Sequence, residues 1–425
     1  MQHKIRTLLI FIILLSDINS ACYAEVLERR KDQFGRDFSY YAYPIAIEIP
    51  GLGKTSGVGA SVLNMSGSDT DFTGYYVRGD FNATGAALLD YHVIPQRLVF
   101  DVGYNDFLVA PKIYNRGISS DPFDVIYPKE EGGYLIGQMT LTFDERRYEM
   151  FARMLTGKFH ILGVLDKNGQ EFSGVDTSMN NSESITVGGT LDLTDDRLDP
   201  RRGMRFEFAS RLPASTKPDF SEYFVNDYNL SAYMPIRSWD TLVFNVFHSH
   251  AYVAREGLTD YTLFQQRYGL NCTQYPTGSN QNACLAAEAK LLAGKLADNR
   301  YGTATPLGGT QRLRSFENGR FYAGQSLFYG VEYRWNLRDE YIPFNIYMAK
   351  GVRTGIQLAA FVERGMVSDH TDDLFKSGRT SYGIGARLIL SGIIIRFDLA
   401  HGDEGTQSQL FITYPWSMFS VDRAN

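Results

Sequence analysis

The sequence has little of several things that would settle its class at once. Cysteine is scarce, three residues in 425, which excludes a small disulfide-dense scaffold. Histidine is equally thin at seven residues. His248 and His250 share one face of an extended segment while Ser249 points the other way, so the trio lacks a nucleophile–base pair. No Cys, Asp or Glu stands beside them to complete a metal site, and His401 with Asp403 and Glu404 reads as a charged loop face. Phosphate-loop and dinucleotide fingerprints are absent. No catalytic residue, metal or cofactor is expected. A net charge of -6 lacks the basic excess of a nucleic-acid surface. Past the first twenty residues, no apolar run approaches the roughly 18 residues of a membrane helix, and there is no internal repeat.

What is present begins at the N-terminus. Lys4 and Arg6 precede the apolar run Leu8–Leu15, and Ala21 and Ala24 follow it. A basic start, a short apolar run and small residues at the exit describe a secretory signal peptide, residues 1–24, cleaved after Ala24. A lipoprotein exit through Cys22 is the alternative, but Asn19 stands where such sites want leucine. The exported chain is then periplasmic, secreted or in an outer membrane. Cys272 and Cys284 remain, and an oxidising compartment favours a disulfide over a buried pair of free thiols.

Aromatics at 14% and 40 glycines suit many strands with tight turns. The segment Leu327–Arg338 reads LFYGVEYRWNLR. Leu327, Tyr329, Val331, Tyr333 and Trp335 fall on one side of an extended chain, and Phe328, Gly330, Glu332, Arg334 and Asn336 on the other. The pattern recurs at 356–365, 381–390, 393–399 and 410–416, and earlier at 185–194 and 204–211. Charges sit mid-strand on one face, and the other face ends in Tyr, Trp or Phe. Segments of about ten residues with aromatic ends fit a transmembrane barrel with a wet lumen. Backbone polar groups in lipid must all be paired, so the sheet has to close.

The fold expected is therefore all-β, a transmembrane antiparallel β-barrel over residues 57–419. Candidate strands are 57–65, 73–82, 84–94, 97–108, 133–145, 147–156, 158–166, 184–195, 203–212, 223–235, 240–253, 327–337, 355–366, 380–390, 392–401 and 408–418. They number sixteen, with fourteen the fallback if 73–94 and 147–166 are single long strands. Residues 25–56 are a lead, a plug or an extra strand, and 420–425 a tail. Residues 109–132 read as a loop, and 254–326 as a longer one containing a short helix near 285–298. Large loops of such barrels face outside the cell.

The end of the long loop, LGGTQRLRSFENGRFYAG at 307–324, resembles the bacterial surface antigen barrels, the BamA/TamA-like assembly and translocation proteins of the outer membrane. In that family a loop reaching back into the lumen carries a Val/Leu-Arg-Gly-Phe/Tyr tip. Here the tip is Leu313, Arg314, Ser315 and Phe316, with serine replacing glycine. Asp195, Arg197, Asp199, Pro200 and Gly203 resemble the family's strand-turn-strand signature, and AFVERGMV its Phe-x-Asp-x-Gly strand with Glu363 in place of Asp. The likeness spans roughly residues 184–419. Members carry periplasmic POTRA domains, for which residues 25–56 leave no room, so an unknown periplasmic partner is expected instead.

Residue chemistry gives its own account of these motifs. Glu332 and Glu363 lie on polar faces of neighbouring strands, where Arg314 folded into the lumen would bridge both carboxylates and Phe316 would pack beside it. Asp and Pro set the geometry of the 195–203 turn, Gly203 supplies an unusual backbone angle, and Arg197 ties carboxylates across the hairpin. Tyr414, Trp416 and Phe419 mark the last strand, where Pro415 cannot donate to a ladder. The resemblance makes the seam of 57–65 against 408–418 a lateral gate. The function implied is insertion or translocation, with outer-membrane lipids and lipopolysaccharide outside and a client outer-membrane or secreted protein at the seam. A passive porin-like channel or a surface adhesin is the alternative.

Overall fold

The structure, a computed structural model, describes residues 34, 37–165, 169, 171–172, 180–213, 217–237, 239–346, 349–390, 393–416 and 418. The leader, Phe419 and the tail lie outside the described residues. The strands are β1 (Ser39–Ile49), β2 (Gly53–Leu63), β3 (Asp71–Gly79), β4 (Asn82–Ile94), β5 (Leu98–Val109), β6 (Tyr127–Phe143), β7 (Tyr148–Leu165), β8 (Glu171–Phe172) and β9 (Asn180–Asp192). They continue with β10 (Gly203–Pro213), β11 (Glu222–Arg237), β12 (Asp240–Arg255), β13 (Gln325–Ile346), β14 (Ala349–Ser368), β15 (Arg379–Leu390), β16 (Ile393–Gly402) and β17 (Gly405–Ile412). β8 only extends the β7 edge. The other sixteen form one closed antiparallel barrel in which β7 pairs with β9 and β17 returns to β1.

The distribution of residues is inside-out. Tyr329, Val331, Tyr333 and Trp335 of β13 are 38–51% exposed, whereas Glu332, Arg334 and Asn336 between them are at most 3% exposed. A soluble sandwich would bury the first set against a second sheet. Here charge faces the interior, the arrangement of a barrel whose outside meets lipid. No helix among the described residues is long and apolar enough to cross a membrane, which says nothing of strands.

Sixteen strands agree with the count expected, but by two offsetting changes. Segments 147–156 and 158–166 are one strand, β7, and residues 25–56 contain β1. The first strand is therefore Ser39–Ile49, and the seam lies between β1 and β17 rather than between 57–65 and 408–418. The last strand also ends at Ile412, short of 418.

Long connections gather at one end of the barrel. The largest, between β12 and β13, holds α1 (Tyr261–Tyr268) and α2 (Ser279–Tyr301). The helix is thus longer than 285–298, gaining the mostly polar residues 279–284 and 299–301 at its ends. Asp260 caps α1 by accepting from the Leu263 N–H at 2.9 Å. Cys272 and Cys284 are joined as a disulfide, their Cα atoms 5.6 Å apart, inside an apolar cluster with Ile126, Val164 and Ala287. This lid closes the long-loop end over β6 and β7.

Candidate functional site

From the lid the chain descends into the lumen. A bridge between Leu307 and Phe321 closes a hairpin-like excursion, and Gly308 and Gly309 at its neck have φ of 110° and 102°. A Cβ on Gly308 would meet the Glu317 carbonyl at 2.2 Å, so glycine is required for the close approach. Leu307, Leu313, Phe316 and Phe321 are at most 1% exposed and pack on Val243, Phe247, Phe328 and Val367 of the wall. Phe316 meets Phe321 edge-on at 5.0 Å. Apolar anchors therefore seat the tip before any charge is considered.

At the tip, Arg314 is fully buried and faces three carboxylates. Its Nε is 2.8 Å from Glu363, Nη1 2.8 Å from Asp398 and Nη2 3.0 Å from Glu332. Its backbone N–H also donates to Glu363 at 2.8 Å. The guanidinium lies 3.4 Å over the Phe361 ring and 5.5 Å from that of Trp416. Burial alone would lower its pKa, but Glu363, Asp398 and Glu332 outweigh burial and raise it. The charge is permanent. Ser315 donates its N–H to Ser381 Oγ at 3.0 Å, and its hydroxyl fits because the facing position is Gly402.

More than Glu332 and Glu363 surrounds Arg314. Asp398 is a third partner, and three wall arginines share the same acids. Arg334 and Arg387 each lie 2.8 Å from Glu332, and Arg396 lies 2.9 Å from Asp398. Four guanidinium groups thus meet three carboxylates, all buried. The alternation that turned Glu332 inward also turned these residues inward, so the signal was present. Arg387 and Arg396 stand directly opposite on β15 and β16, a like-charge pairing that costs stability unless acids intervene. Nearby Arg312 lies 3.7 Å over Phe247 and bonds Asn229 at 3.2 Å, and burial pushes its pKa down to about 10.

The last residues differ most from expectation. After Ile412 the backbone turns inward, with φ of 98° at Thr413 and 72° at Trp416. Tyr414 and Trp416 therefore leave the outer face assigned to them and lie buried in the lumen. Trp416 Nε1 donates to Glu363 at 2.9 Å, and its carbonyl accepts from Asn229 at 2.8 Å. Its ring occupies space over Gly330, where a Cβ would lie 2.7 Å away. Two strong hydrogen-bonding opportunities and a notch draw the segment off the ladder.

Tyr414 joins this site to the 195–203 turn. Its hydroxyl donates to Asp199 at 2.6 Å, and Arg334 stacks 4.0 Å over its ring. Asp195 accepts from the N–H groups of Arg201 and Arg202, each at 2.9 Å. Arg197 reaches Glu149 on β7 at 2.9 Å rather than only spanning its own hairpin. Gly203 has φ of 103°, and a Cβ would meet the Leu193 carbonyl at 2.1 Å. Pro200 is buried within the turn.

The loop also crosses the seam. Asn318 donates its N–H to Pro50 in the β1–β2 turn at 2.8 Å, while Arg320 holds Glu404 in the β16–β17 turn at 2.8 Å. Gln409 of β17 donates to the carbonyls of Gly309 and Arg314. Against these ties, β1 and β17 share one described pairing, Glu48 with Leu410.

No family model matches the chain, and no curated protein matches it. Among solved structures it is similar to CdiB from Escherichia coli, at 11% identity and TM-score 0.51, covering 89% of this chain and 63% of that one. BamA from Haemophilus ducreyi lacking POTRA domains 1–3 gives 12% identity and TM-score 0.49, covering 88% and 71%. OccK7 (OpdD) from Pseudomonas aeruginosa gives 9% and 0.26. The chain spans less than two thirds of the CdiB chain, and at such identity the likeness is one of fold.

Proposed function

We propose that the protein is an outer-membrane barrel of the assembly and translocation kind, acting without a cofactor, with Arg314 as an internal latch and the β1–β17 seam as its opening. The long-loop end faces outward and the short turns face the periplasm. The observation that carries this reading is the single Glu48–Leu410 pairing, set beside the full ladders at every other junction. A strand edge without a partner in lipid is costly, and adding an incoming strand is a general way to satisfy such an edge. The chain turns inward after Ile412, so the seam between β1 and β17 is where an added strand would enter. A client outer-membrane or secreted protein would pair there, with a periplasmic partner delivering it. The loop staples both sides of the seam from within, so latch release and seam opening are coupled. Outer-membrane lipids and lipopolysaccharide surround the wall.

The test is a cysteine pair, Glu48→Cys with Leu410→Cys, in proteoliposomes supplied with an unfolded barrel client. Oxidation should stop client insertion and reduction restore it, with the parent chain under the same reductant as control. Insertion at an undiminished rate by the cross-linked barrel sinks the proposal. Planar-bilayer recording separates the alternatives. Small flickering currents are expected, and a steady large conductance would substitute the porin-like channel.

A further inference from the structure

β6 and β7, at 17 and 18 residues, are longer than most of the wall, and their outward faces change character partway. Leu135, Met139, Met150 and Met154 are outward and 45–58% exposed. Toward the long-loop end the same faces carry Glu131, Lys158 and His160. Cα register aligns Asp106, Gly133, Lys158 and Asn181 in one row across β5, β6, β7 and β9. Gly133 has no side chain, and Asp106 leans over it: a Cβ there would lie 2.4 Å from Asp106 Oδ1. The result is an outward-facing recess of about 870 Å³ with Tyr76 and Tyr104 on its rim.

The polar groups of the recess are arranged for a ligand of mixed character. Lys158 and Arg78 are exposed, and among the described residues neither has a carboxylate within 4.0 Å. Asp106 accepts from Tyr104 at 2.6 Å, and Glu131 lies 3.7 Å from His160, each retaining acceptor capacity. Unpaired cations suit a phosphate, carboxylates and Asn181 suit hydroxyl groups, and exposed tyrosine faces suit a sugar ring. Acyl chains would continue over Leu135 and Met154. We propose that this recess binds a phosphorylated glycolipid of the outer leaflet. Free phosphate lacks the sugar and the chains, and a diacyl phospholipid such as phosphatidylglycerol lacks the sugar ring that would lie on the tyrosine faces. The proposal rests on the outer-membrane reading but not on the seam.

Native mass spectrometry of the full chain from neutral detergent tests it. The probes are an acylated glucosamine-disaccharide bisphosphate, phosphatidylglycerol and inorganic phosphate. The glycolipid should be retained about tenfold better than phosphatidylglycerol, and Lys158→Gln with Arg78→Gln should remove about that factor. Millimolar inorganic phosphate should not displace it. Equal retention of both lipids, an unchanged double variant, or displacement by phosphate overturns the site. Heat-modifiable migration on gels checks that the variant is folded. A chain that stays soluble without detergent refutes the membrane reading itself, a separate result.

Discussion

The two walls of the lumen share one sequence pattern and have opposite fates. On the β12–β17 side, Glu332, Glu363, Ser381 and Asp398 have no solvent exposure, because the loop tip and the inward-turned terminus cover them. On the β3–β9 side, inward residues such as Tyr75, Asp101, Gln138 and Arg153 line a cavity of about 410 Å³. There a chain of hydrogen bonds runs from Tyr75 to Asn105 to Tyr134, each 2.8 Å, and Arg153 bonds Gln138 at 2.8 Å. Alternation decides which face a side chain takes. What covers that face decides whether its charge is buried, and so how much its partners matter.

The comparison breaks if matched substitutions on the two walls cost the same. Arg314→Ala should have the largest effect, about 3–5 kcal/mol, since Glu363 and Asp398 stay buried without their shared cation. It should appear as a lower temperature for loss of the compact form on gels and as protease cleavage near residue 314. Arg314→Lys should rescue poorly, because one ammonium cannot address three carboxylates through a planar fork. Trp416→Ala should follow at about 3 kcal/mol, from lost packing over Gly330 and the lost bond to Glu363. Tyr414→Phe, which removes only the hydroxyl on Asp199, should cost about 2 kcal/mol in urea unfolding from vesicles. On the open wall, Arg153→Ala should change stability by less than about 1 kcal/mol, as water replaces its partner. A cost near that of Arg314→Ala would mean that the cavity is dry and that the two walls do not differ.

Much of the wall was legible from alternation alone, because β9 through β16 place large apolar residues outward and charges inward. β1 escaped because it reverses the rule. Tyr41, Tyr43, Ile45 and Ile47 point inward, while Ala42, Pro44 and Ala46 face out. Large inward rings need room, and glycine provides it: a Cβ on Gly59 would meet the Tyr43 ring at 2.5 Å. Such reversal next to a glycine-rich strand is visible only once pairing is known. Glu332, Glu363 and Arg334 were accessible from one strand each, whereas grouping Asp398, Arg387 and Arg396 with them required neighbouring strands in register. Tyr414 and Trp416 obeyed the alternation on paper, and long-range bonds to Asp199 and Glu363 overrode it. Local pattern carries no information about such partners.

The Arg314 guanidinium has the Phe361 ring at 3.4 Å and the Trp416 ring at 5.5 Å, and the second belongs to the segment that follows the last strand. The inward turn thus works as a seal on the tip, and a chain cut before Tyr414 should complete its wall yet leave the guanidinium unroofed.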